Sequence, residues 1–391
     1  MFDPAGDRAF VGSQYGAMIV NPGSLGTTTS AITTLPAPGT ELGVVTGRVI
    51  GVSKNGAMAV FSDTVSNPNQ VYVVSVTTTT TTSGSGSSSS SSTAAAPSVA
   101  LNINNATTAS FSPDGLKAFI LADGGNTLYV YSSLQNLLAP INLPAPATSI
   151  VFNSSGTFAM LSGGVSAGVF PETFSIYNTC DDSPVTLTPP ASPILLPGPP
   201  SFLTLVPGGI VPTSATGVIP SPLLTTGLDF FFGVDSTGID IIATNTSNPV
   251  AGSLCPQTVA LANSAVAPAT PIMLHINIGQ GSFHPVSFFI SPDTTQVYIA
   301  ASDRNGILDY NFTTKATTSI PLANNATPVS ASMTADGSFI YVVGSDGLLH
   351  AVSTYSIFDQ DQISFAPLVN STNSFCYTGN NCQMDLMAVK P

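Results

Sequence analysis

The sequence predicts an all-β fold made of repeated four-stranded antiparallel sheets. One unit recurs along the chain: a short apolar strand, a Pro/Asp/Gly turn, a second strand, another Gly-containing turn and a third strand. Apolar residues show no helical period, and the shortest spacings between units match the roughly 40–45 residues of a four-stranded blade. Seven units therefore predict a seven-bladed β-propeller of four-stranded antiparallel blades.

The first turn of the unit is defined best by three copies. These are Ser112-Pro-Asp-Gly115, Ser291-Pro-Asp-Thr294 and Thr334-Ala-Asp-Gly337. Pro presets φ, Asp caps the turn and Gly takes the left-handed conformation, so each copy joins two antiparallel strands. Weaker copies centre on Phe2–Gly6, Val52–Gly56, Phe152–Gly156 and Leu205–Gly209.

A second turn and two further strands complete the unit. The second turns are Asp123–Asn126, Asp235–Gly238, Asp303–Gly306 and Ser345–Gly347. The predicted third strands are Leu128–Tyr131, Ile239–Ile242, Ile307–Tyr310 and Leu348–Ala351. The predicted fourth strands are Leu101–Ile103, Ile141–Leu143, Ile320–Leu322 and Ile363–Phe365.

The chain is predicted to be a single domain, 1–391, with loop insertions at about 77–98, 184–222 and 255–280. The first insertion opens with six Thr followed by a Ser/Gly tract, and this composition predicts a solvated loop. Ring closure is predicted from the two ends of the chain. The first unit lacks its inner strand, and Met384–Val389 remains after the last unit, so this C-terminal strand is expected to supply the inner strand of blade one beside Val11. The alternative is a frayed tail after an open blade.

Charge excludes several functions. The chain has 7 Lys and Arg against 20 Asp and Glu, a net charge of −13, and only 7% charged residues. So few cations cannot follow a phosphate backbone, which excludes nucleic acid as a partner. No apolar run reaches the 18 residues of a membrane span, so membrane insertion is not expected.

Cysteine usage favours an extracellular setting. Four cysteines allow three pairings, of which we favour Cys180–Cys255 and Cys376–Cys382, while four buried free thiols are the alternative. Disulfides form outside the cytoplasm, and the scarcity of Lys with abundant Ser and Thr agrees with that setting. We expect a secreted or surface-displayed protein whose signal peptide is not part of this sequence.

The strands after the first turns carry a family resemblance. Ser-Pro-Asp-Gly at 112–115, Val-Tyr-Ile-Ala-Ala-Ser at 297–302 and Ile-Tyr-Val-Val-Gly-Ser at 340–345 resemble the YVTN-type repeats of bacterial and archaeal surface propellers. The resemblance covers most of the chain. It implies a lactonase-like seven-bladed propeller, whose relatives include surface-layer proteins, lactonases of the phosphogluconolactonase type and secreted proteins.

Few residues are candidates for ligand binding, and none is nominated as a catalytic residue, a metal ligand or a cofactor site. Alignment of the inner strands puts His284 at the channel mouth with Asn105 and Thr327, where His284 either binds a ligand or is a hydrogen-bonded loop residue. Hydroxyl side chains share the next register and either recognise a sugar or simply pack where inner strands converge; they are Thr108, Ser149, Ser287 and Ser330.

The remaining histidines and acidic loops have structural interpretations. His275, on an outer strand, and His350, on a third strand, are predicted to be structural. The segments Asp303–Asp309 and Asp359–Asp361 resemble oxygen-rich calcium loops but have too few ligands, so both are predicted to serve turns.

These observations predict an extracellular or cell-surface propeller that acts as a self-assembling structural or interaction scaffold. Its partners would be other protein chains or copies of itself. The 184–222 segment is either a contact region for them or a loop folded over the propeller's own blades. Glycans are further expected partners. The sequons and the 77–92 tract also predict that the protein is itself a glycoprotein. The alternative is a carbohydrate- or lactone-binding propeller, or a hydrolase, with its site at the central channel mouth.

Overall fold

A computed structural model describes the chain at 9–12, 17–20, 32–34, 45, 47–54, 56–63, 69–82, 89–95, 99–134, 136–143, 146–152, 156, 158–162, 173–179, 183–184, 194–195, 202–205, 229–244, 272–334 and 336–364. The strands of these residues form seven antiparallel sheets. They belong to two compact units, one containing β1–β17 and the other β18–β29. No helix in these ranges is long and apolar enough to cross a membrane.

The first unit contains four sheets. The first sheet has three strands, β1 (Ala9–Val11), β2 (Met18–Val20) and β3 (Ile32–Thr34). The second has five: β4 (Arg48–Val52), β5 (Met58–Asp63), β6 (Gln70–Thr82), β7 (Ser89–Ala95) and β8 (Val99–Asn102). The third has β9 (Thr108–Phe111), β10 (Lys117–Ala122), β11 (Thr127–Ser132) and β12 (Leu137–Asn142). The fourth has β13 (Ser149–Phe152), β14 (Phe158–Ser162), β15 (Thr173–Asn178), β16 (Ser183–Pro184) and β17 (Ile194–Leu195).

The second unit contains three four-stranded sheets. The first is β18 (Phe202–Leu205), β19 (Asp229–Val234), β20 (Gly238–Thr244) and β21 (Ile272–Asn277). The second is β22 (Pro285–Ile290), β23 (Gln296–Ala301), β24 (Gly306–Asn311) and β25 (Ala316–Pro321). The third is β26 (Pro328–Met333), β27 (Phe339–Gly344), β28 (Leu348–Ser353) and β29 (Phe358–Ser364).

Four of the seven sheets are complete four-stranded antiparallel meanders, and the two five-stranded sheets each contain one, which confirms the predicted blade unit. In each meander the strands pair in chain order, so the first strand lies at one edge and the fourth at the other. The predicted third and fourth strands all fall on strands of these sheets. Three of the fourth strands begin four or five residues earlier than predicted, at Leu137, Ala316 and Phe358.

The predicted first turns have the backbone that the sequence requires. Left-handed φ values occur at all five turn positions that the structure describes: Gly56, Gly115, Gly156, Thr294 and Gly337. At the third of the well-defined copies, Asp336 accepts hydrogen bonds from the Ser338 amide and hydroxyl groups. The turns at Gly6 and Gly209 lie outside the described residues.

The 77–92 segment, predicted as a loop, contains two paired strands instead. The six Thr residues continue β6, and Thr77–Thr82 pair in antiparallel register with Ala94–Ser89 of β7. β-branched Thr favours the extended backbone, and a facing strand satisfies the hydrogen bonds that a loop would leave to water. The 184–222 and 255–280 insertions also contain strands, namely β17 and β18 in the first and β21 in the second.

The core lies between consecutive sheets. One cluster combines β19 and β20 with β23 and β24, and within it Phe312 contacts Phe232 and Tyr310 at ring-centroid distances of 5.7 and 5.3 Å. In the first unit Phe119 of β10 makes edge contacts with Phe152 and Tyr177 of the next sheet. Second strands are buried on both faces, which explains why their sequences are almost continuously apolar.

First strands also meet one another. In the first unit β9 contacts both β4 and β13, and in the second unit β22 contacts β26. The residues predicted to lie at a channel mouth are found just ahead of these first strands or inside them. The predicted closing strand, Met384–Val389, lies outside the described residues.

Candidate functional site

His284 is one of the exposed residues among the predicted ligand-binding positions, and it has a carboxylate beside it that the sequence analysis missed. It immediately precedes β22, and 79% of its side chain is exposed. Its backbone N–H donates to Asp303 Oδ1 at 2.8 Å, and its Nδ1 lies 3.4 Å from Asp303 Oδ2. Asp303 comes from the turn between β23 and β24, so the two residues meet through strand pairing.

Arg304 holds this group in place. Its guanidinium contacts Asp303 Oδ2 at 3.1 Å and donates to the carbonyl oxygens of Gln280 and Ser282 at 3.0 and 2.7 Å. Partial burial acts to raise the pKa of Asp303, but the His284 N–H bond and the Arg304 charge outweigh it and lower that pKa. Asp303 is therefore ionised at neutral pH, and the exposed imidazole stands next to a fixed negative charge.

Asn105 and Thr327 occupy the corresponding places ahead of β9 and β26, three residues before the hydroxyl register, as His284 does. Asn105 is exposed and has a φ of 50°. Thr327 uses its backbone, since its N–H donates to Ser345 Oγ at 3.0 Å and its carbonyl accepts from the Ser345 N–H. Asn105 belongs to the first unit, whereas His284 and Thr327 belong to the second.

The four predicted hydroxyl residues do share one register. Relative to the first turns, each stands opposite the same position of the second strand; the pairs are Thr108–Leu121, Ser149–Ser162, Ser287–Ala300 and Ser330–Val343. The Ser287 hydroxyl donates to the Val286 carbonyl oxygen at 2.8 Å and accepts from the Ala331 N–H of β26 at 3.4 Å. It therefore links two neighbouring first strands.

Arg48 is an unpredicted member of this register. It pairs with Ser62 at the equivalent position of β4 and β5, and it is exposed. A β-bulge between Val49 and Gly51 shifts its place relative to the turn at Gly56. Counting residues back from the turn therefore missed it.

A second charged group lies inside the β18–β21 sheet. It consists of Asp235 from the turn after β19, Asp240 from β20 and His275 from β21, and both carboxylates are fully buried. His275 Nδ1 lies 2.9 Å from Asp240 Oδ1 and 3.4 Å from Asp235 Oδ2. The outer-strand location of His275 was predicted, but its two carboxylate neighbours were not.

The electrostatics of this group favour a retained proton. Burial raises the pKa of Asp240, although its hydrogen bond with His275 acts in the opposite direction. That same hydrogen bond raises the pKa of His275, with burial opposing it. A proton shared by the pair is thus held to a higher pH than on a free imidazole.

His350 is buried in a third group, within the β26–β29 sheet. Its Nδ1 lies 2.7 Å from Asp359 Oδ2, and its Nε2 lies 3.2 Å from Asp346 Oδ1. Asp359 also accepts from the Ala323 N–H at 2.8 Å. Asp359 belongs to strand β29, so the prediction that Asp359–Asp361 serves a turn is wrong: the histidine holds the carboxylate in the sheet.

Asp303–Asp309 is likewise divided between a turn and a strand. Asp303 lies in the turn before β24, whereas Asp309 lies within that strand and accepts from Gln296 Nε2 at 3.0 Å. The two carboxylates therefore have separate partners, and each is accounted for without a shared ion. The four cysteines of the predicted disulfides, Cys180, Cys255, Cys376 and Cys382, lie outside the described residues.

An exposed apolar hairpin was also missed. The turn joining β28 and β29 exposes 82% of Tyr355 and 47% of Ile357, and Phe358, the first residue of β29, is 61% exposed. On the corresponding hairpin of the β9–β12 sheet, Leu134 is 62% exposed. The sequence does not predict this exposure, because apolar residues next to a short turn are equally typical of the ends of buried strands.

Comparison with known proteins identifies the fold and no family. No protein-family model and no curated protein matches the sequence. Solved structures do match: hydrazine synthase of Kuenenia stuttgartiensis at 10% identity (90% of this chain, 94% of that one, TM-score 0.50), and AztD of Citrobacter koseri at 13% identity (91% and 80%, TM-score 0.52). The β-propeller domain of Cps50 (Swd1) from Myceliophteria thermophila matches at 11% identity (88% and 92%, TM-score 0.51).

The fold is therefore an all-β propeller of four-stranded antiparallel blades. The similar structures have different functions according to their names, and at these identities they share only architecture. The YVTN resemblance and the blade count of seven stay predictions.

Proposed function

We propose that this protein is an extracellular or cell-surface β-propeller scaffold that associates with copies of itself. The observation that carries the proposal is the exposed apolar hairpin of Tyr355, Ile357 and Phe358. Soluble proteins rarely expose neighbouring large apolar side chains unless another surface covers them. Aromatic residues in particular are enriched where protein surfaces meet.

Charge favours another copy of this chain as the partner. Only 27 of 391 side chains are charged, and physiological salt screens the repulsion between two copies of net charge −13 beyond about 8 Å. A strongly anionic partner would find few cations to pair with, since the chain has only 7 Lys and Arg. A second neutral and apolar surface, in contrast, matches the hairpin.

The extracellular location is proposed on composition and cysteine content. A surface rich in Ser, Thr and Asn keeps its hydrogen bonds as pH changes, because these groups do not titrate. The two predicted disulfides would form in such a compartment. Glycans on the sequons, including the described Asn105, Asn311 and Asn325, belong to the same proposal.

A closed ring of seven blades belongs to the proposal as well. The β1–β3 sheet has three strands, and β1 contacts β4 as the second strand β23 contacts β26. The Ala17 N–H also bonds the Val45 carbonyl, as the Phe283 N–H bonds the Ser236 carbonyl at a second turn. Both relations support the assignment of β1 as a second strand, with Met384–Val389 proposed as the first.

Self-association can be tested by analytical ultracentrifugation of the full chain over a range of concentrations. We expect wild type to associate, and the double variant Tyr355→Ser, Phe358→Ser to remain monomeric. The matched control is Leu134→Ser on the equivalent hairpin, which should associate like wild type. A monomeric wild type at high concentration, or equal association of the hairpin variant, would contradict the proposal.

A carbohydrate- or lactone-binding site is the second candidate, and the exposed His284 beside ionised Asp303 favours it. Imidazole and carboxylate groups together can donate to and accept from sugar hydroxyls. Glycan-array binding and lactone hydrolysis should both fall in His284→Ala if this reading is correct. Unchanged signals, or none in wild type, would leave the scaffold as the sole proposal.

A further inference from the structure

Asp235, Asp240 and His275 bring their donor atoms together in the way that the ligands of a metal ion do. One oxygen of each carboxylate approaches the same imidazole nitrogen, Nδ1, at 3.4 and 2.9 Å. The donor atoms of the three residues all lie within 4.8 Å of one another. Two oxygens and one nitrogen thus converge on one small volume inside the sheet.

Buried polar atoms without partners are the second observation. Asp235 and Asp240 are 0% and 1% exposed, yet Oδ2 of each has no hydrogen-bond partner among the described residues. An unsatisfied buried carboxylate oxygen costs free energy, and two of them beside one imidazole leave excess negative charge. A bound cation would satisfy both oxygens and the charge together.

The surrounding contacts orient the three side chains. Asp235 Oδ1 accepts from the Thr237 N–H, the Thr237 hydroxyl and the Gly238 N–H at 2.6, 2.9 and 2.7 Å, so Oδ2 is left facing His275. Thr237 Oγ1 also lies 3.3 Å from His275 Nε2, the nitrogen that faces away from the carboxylates. Metal-binding histidines and carboxylates are commonly held by such outer hydrogen bonds.

The His350 group shows what a purely structural arrangement of the same residue types looks like. There the two carboxylates stand at opposite ring nitrogens, Asp359 at Nδ1 and Asp346 at Nε2. Because both nitrogens are occupied from opposite sides, one ion cannot bind all three residues. In the Asp235 group both carboxylates face one nitrogen and the other nitrogen has a hydroxyl partner.

We infer that Asp235, Asp240 and His275 form a binding site for a divalent first-row transition metal such as Zn²⁺. Imidazole nitrogen with carboxylate oxygen is a ligand set for these ions, whereas Ca²⁺ and Mg²⁺ prefer oxygen alone. Binding replaces the imidazole proton on Nδ1, and the proton leaves to solvent. His275 is 22% exposed, which gives the ion a way in and leaves a coordination position for water.

Metal titration of the chelator-treated full chain tests this inference. The probes are Zn²⁺ by isothermal calorimetry and Co²⁺ by its visible absorption. We expect wild type to bind one equivalent of metal and Asp240→Asn to bind it about 10-fold or more weakly. Loss of a residue that only orients a ligand typically costs about 10-fold in metal affinity, and loss of the ligand itself should cost at least as much. X-ray absorption of the Zn²⁺ form should show one imidazole.

Asp309→Asn is the matched control, since Asp309 is also a buried aspartate on the third strand of its sheet. It should bind the metal like wild type. The inference is overturned if wild type binds no stoichiometric metal, if Asp240→Asn binds as well as Asp309→Asn, or if the bound Zn²⁺ has no imidazole ligand. The X-ray absorption measurement uses wild type alone, so it tests the inference even if a variant does not fold.

Discussion

Asp336 shows how a single carboxylate organises a blade turn. It accepts hydrogen bonds from Thr334 Oγ1 at 2.6 Å, the Ser338 N–H at 3.1 Å and Ser338 Oγ at 2.8 Å. These bonds, led by that from Thr334, lower the pKa of Asp336 to about 2. Asp293 has the same role at the preceding copy, where Ser291 Oγ donates to it at 2.6 Å.

A carboxylate of this kind makes stability depend on pH in acid. Because the folded pKa is below the ordinary value of about 3.9, Asp336 stabilises the fold above that pH, and the contribution is lost as pH falls through about 2. We expect Asp336→Asn to lower the denaturant midpoint at neutral pH and to match wild type near pH 2. Urea unfolding from pH 2 to 7 measures this.

Asp361→Asn is the control for loss of one negative charge, because Asp361 is an exposed strand residue. Its unfolding curve should follow wild type across the range. A constant difference between Asp336→Asn and wild type at every pH would show that the carboxylate charge is not the cause.

At the scale of the element, edges and turns decide how sheets end and meet. The outer strands β12 and β25 contain Pro140 and Pro321, each of which removes a backbone N–H on which another strand could pair. On β29 the exposed charge of Asp361 disfavours such pairing instead. The apolar hairpin at the start of β29 is exposed to a partner, whereas the edge formed by strand β29 itself disfavours the addition of another strand.

The turn at Gly124 and Gly125 offers a matched pair of substitutions. Both have left-handed φ, 69° and 86°, but a Cβ on Gly125 would meet the Ala147 backbone, whereas one on Gly124 has only Asn126 Nδ2 at 3.7 Å. Gly124→Ala should cost about 1–2 kcal/mol for the left-handed backbone. Gly125→Ala should cost on the order of 3 kcal/mol or more, because overpacking adds about 1–3.

Equilibrium unfolding in guanidinium measures both costs. The Ala147 N–H bonds the Gly125 carbonyl at 3.0 Å, so a shift at Gly125 also disturbs the link to the segment that enters the next sheet. Equal losses for the two variants would mean that the close approach to Ala147 does not matter for stability.

At the scale of the whole molecule, stability depends on every sheet having a neighbour. Each described core cluster combines two consecutive sheets of one unit, such as β22–β25 with β26–β29. A sheet at the end of such a series leaves one apolar face uncovered unless the series closes. The proposed C-terminal strand would complete the first blade and so avoid the free-energy cost of leaving that apolar face in water.

Deletion of residues 384–391 tests the closure. We expect a lower midpoint of thermal unfolding, because the first sheet then has an open edge where its inner strand would pair. Deletion of Lys390 and Pro391 alone is the control and should leave the midpoint unchanged. If the longer deletion also unfolds like wild type, the closing strand is not Met384–Val389.

The sequence by itself determined the blade unit and its turns, since turn chemistry is local. Ser-Pro-Asp-Gly places a left-handed residue at Gly115, and the same reasoning succeeded at Thr294 without a glycine. The shared register of Thr108, Ser149, Ser287 and Ser330 followed from the same turns. Residues at a constant distance from a turn reach equivalent places in each blade.

Only the tertiary structure decided which distant side chains meet. Asp240 and His275 become partners because β20 pairs with β21 across a long insertion, and no local spacing specifies that pairing. Asp303 reaches His284, and the Thr tract finds the Ser tract, in the same way. Strand pairing depends on which surfaces the whole chain can bury together, so it cannot be computed from one segment alone.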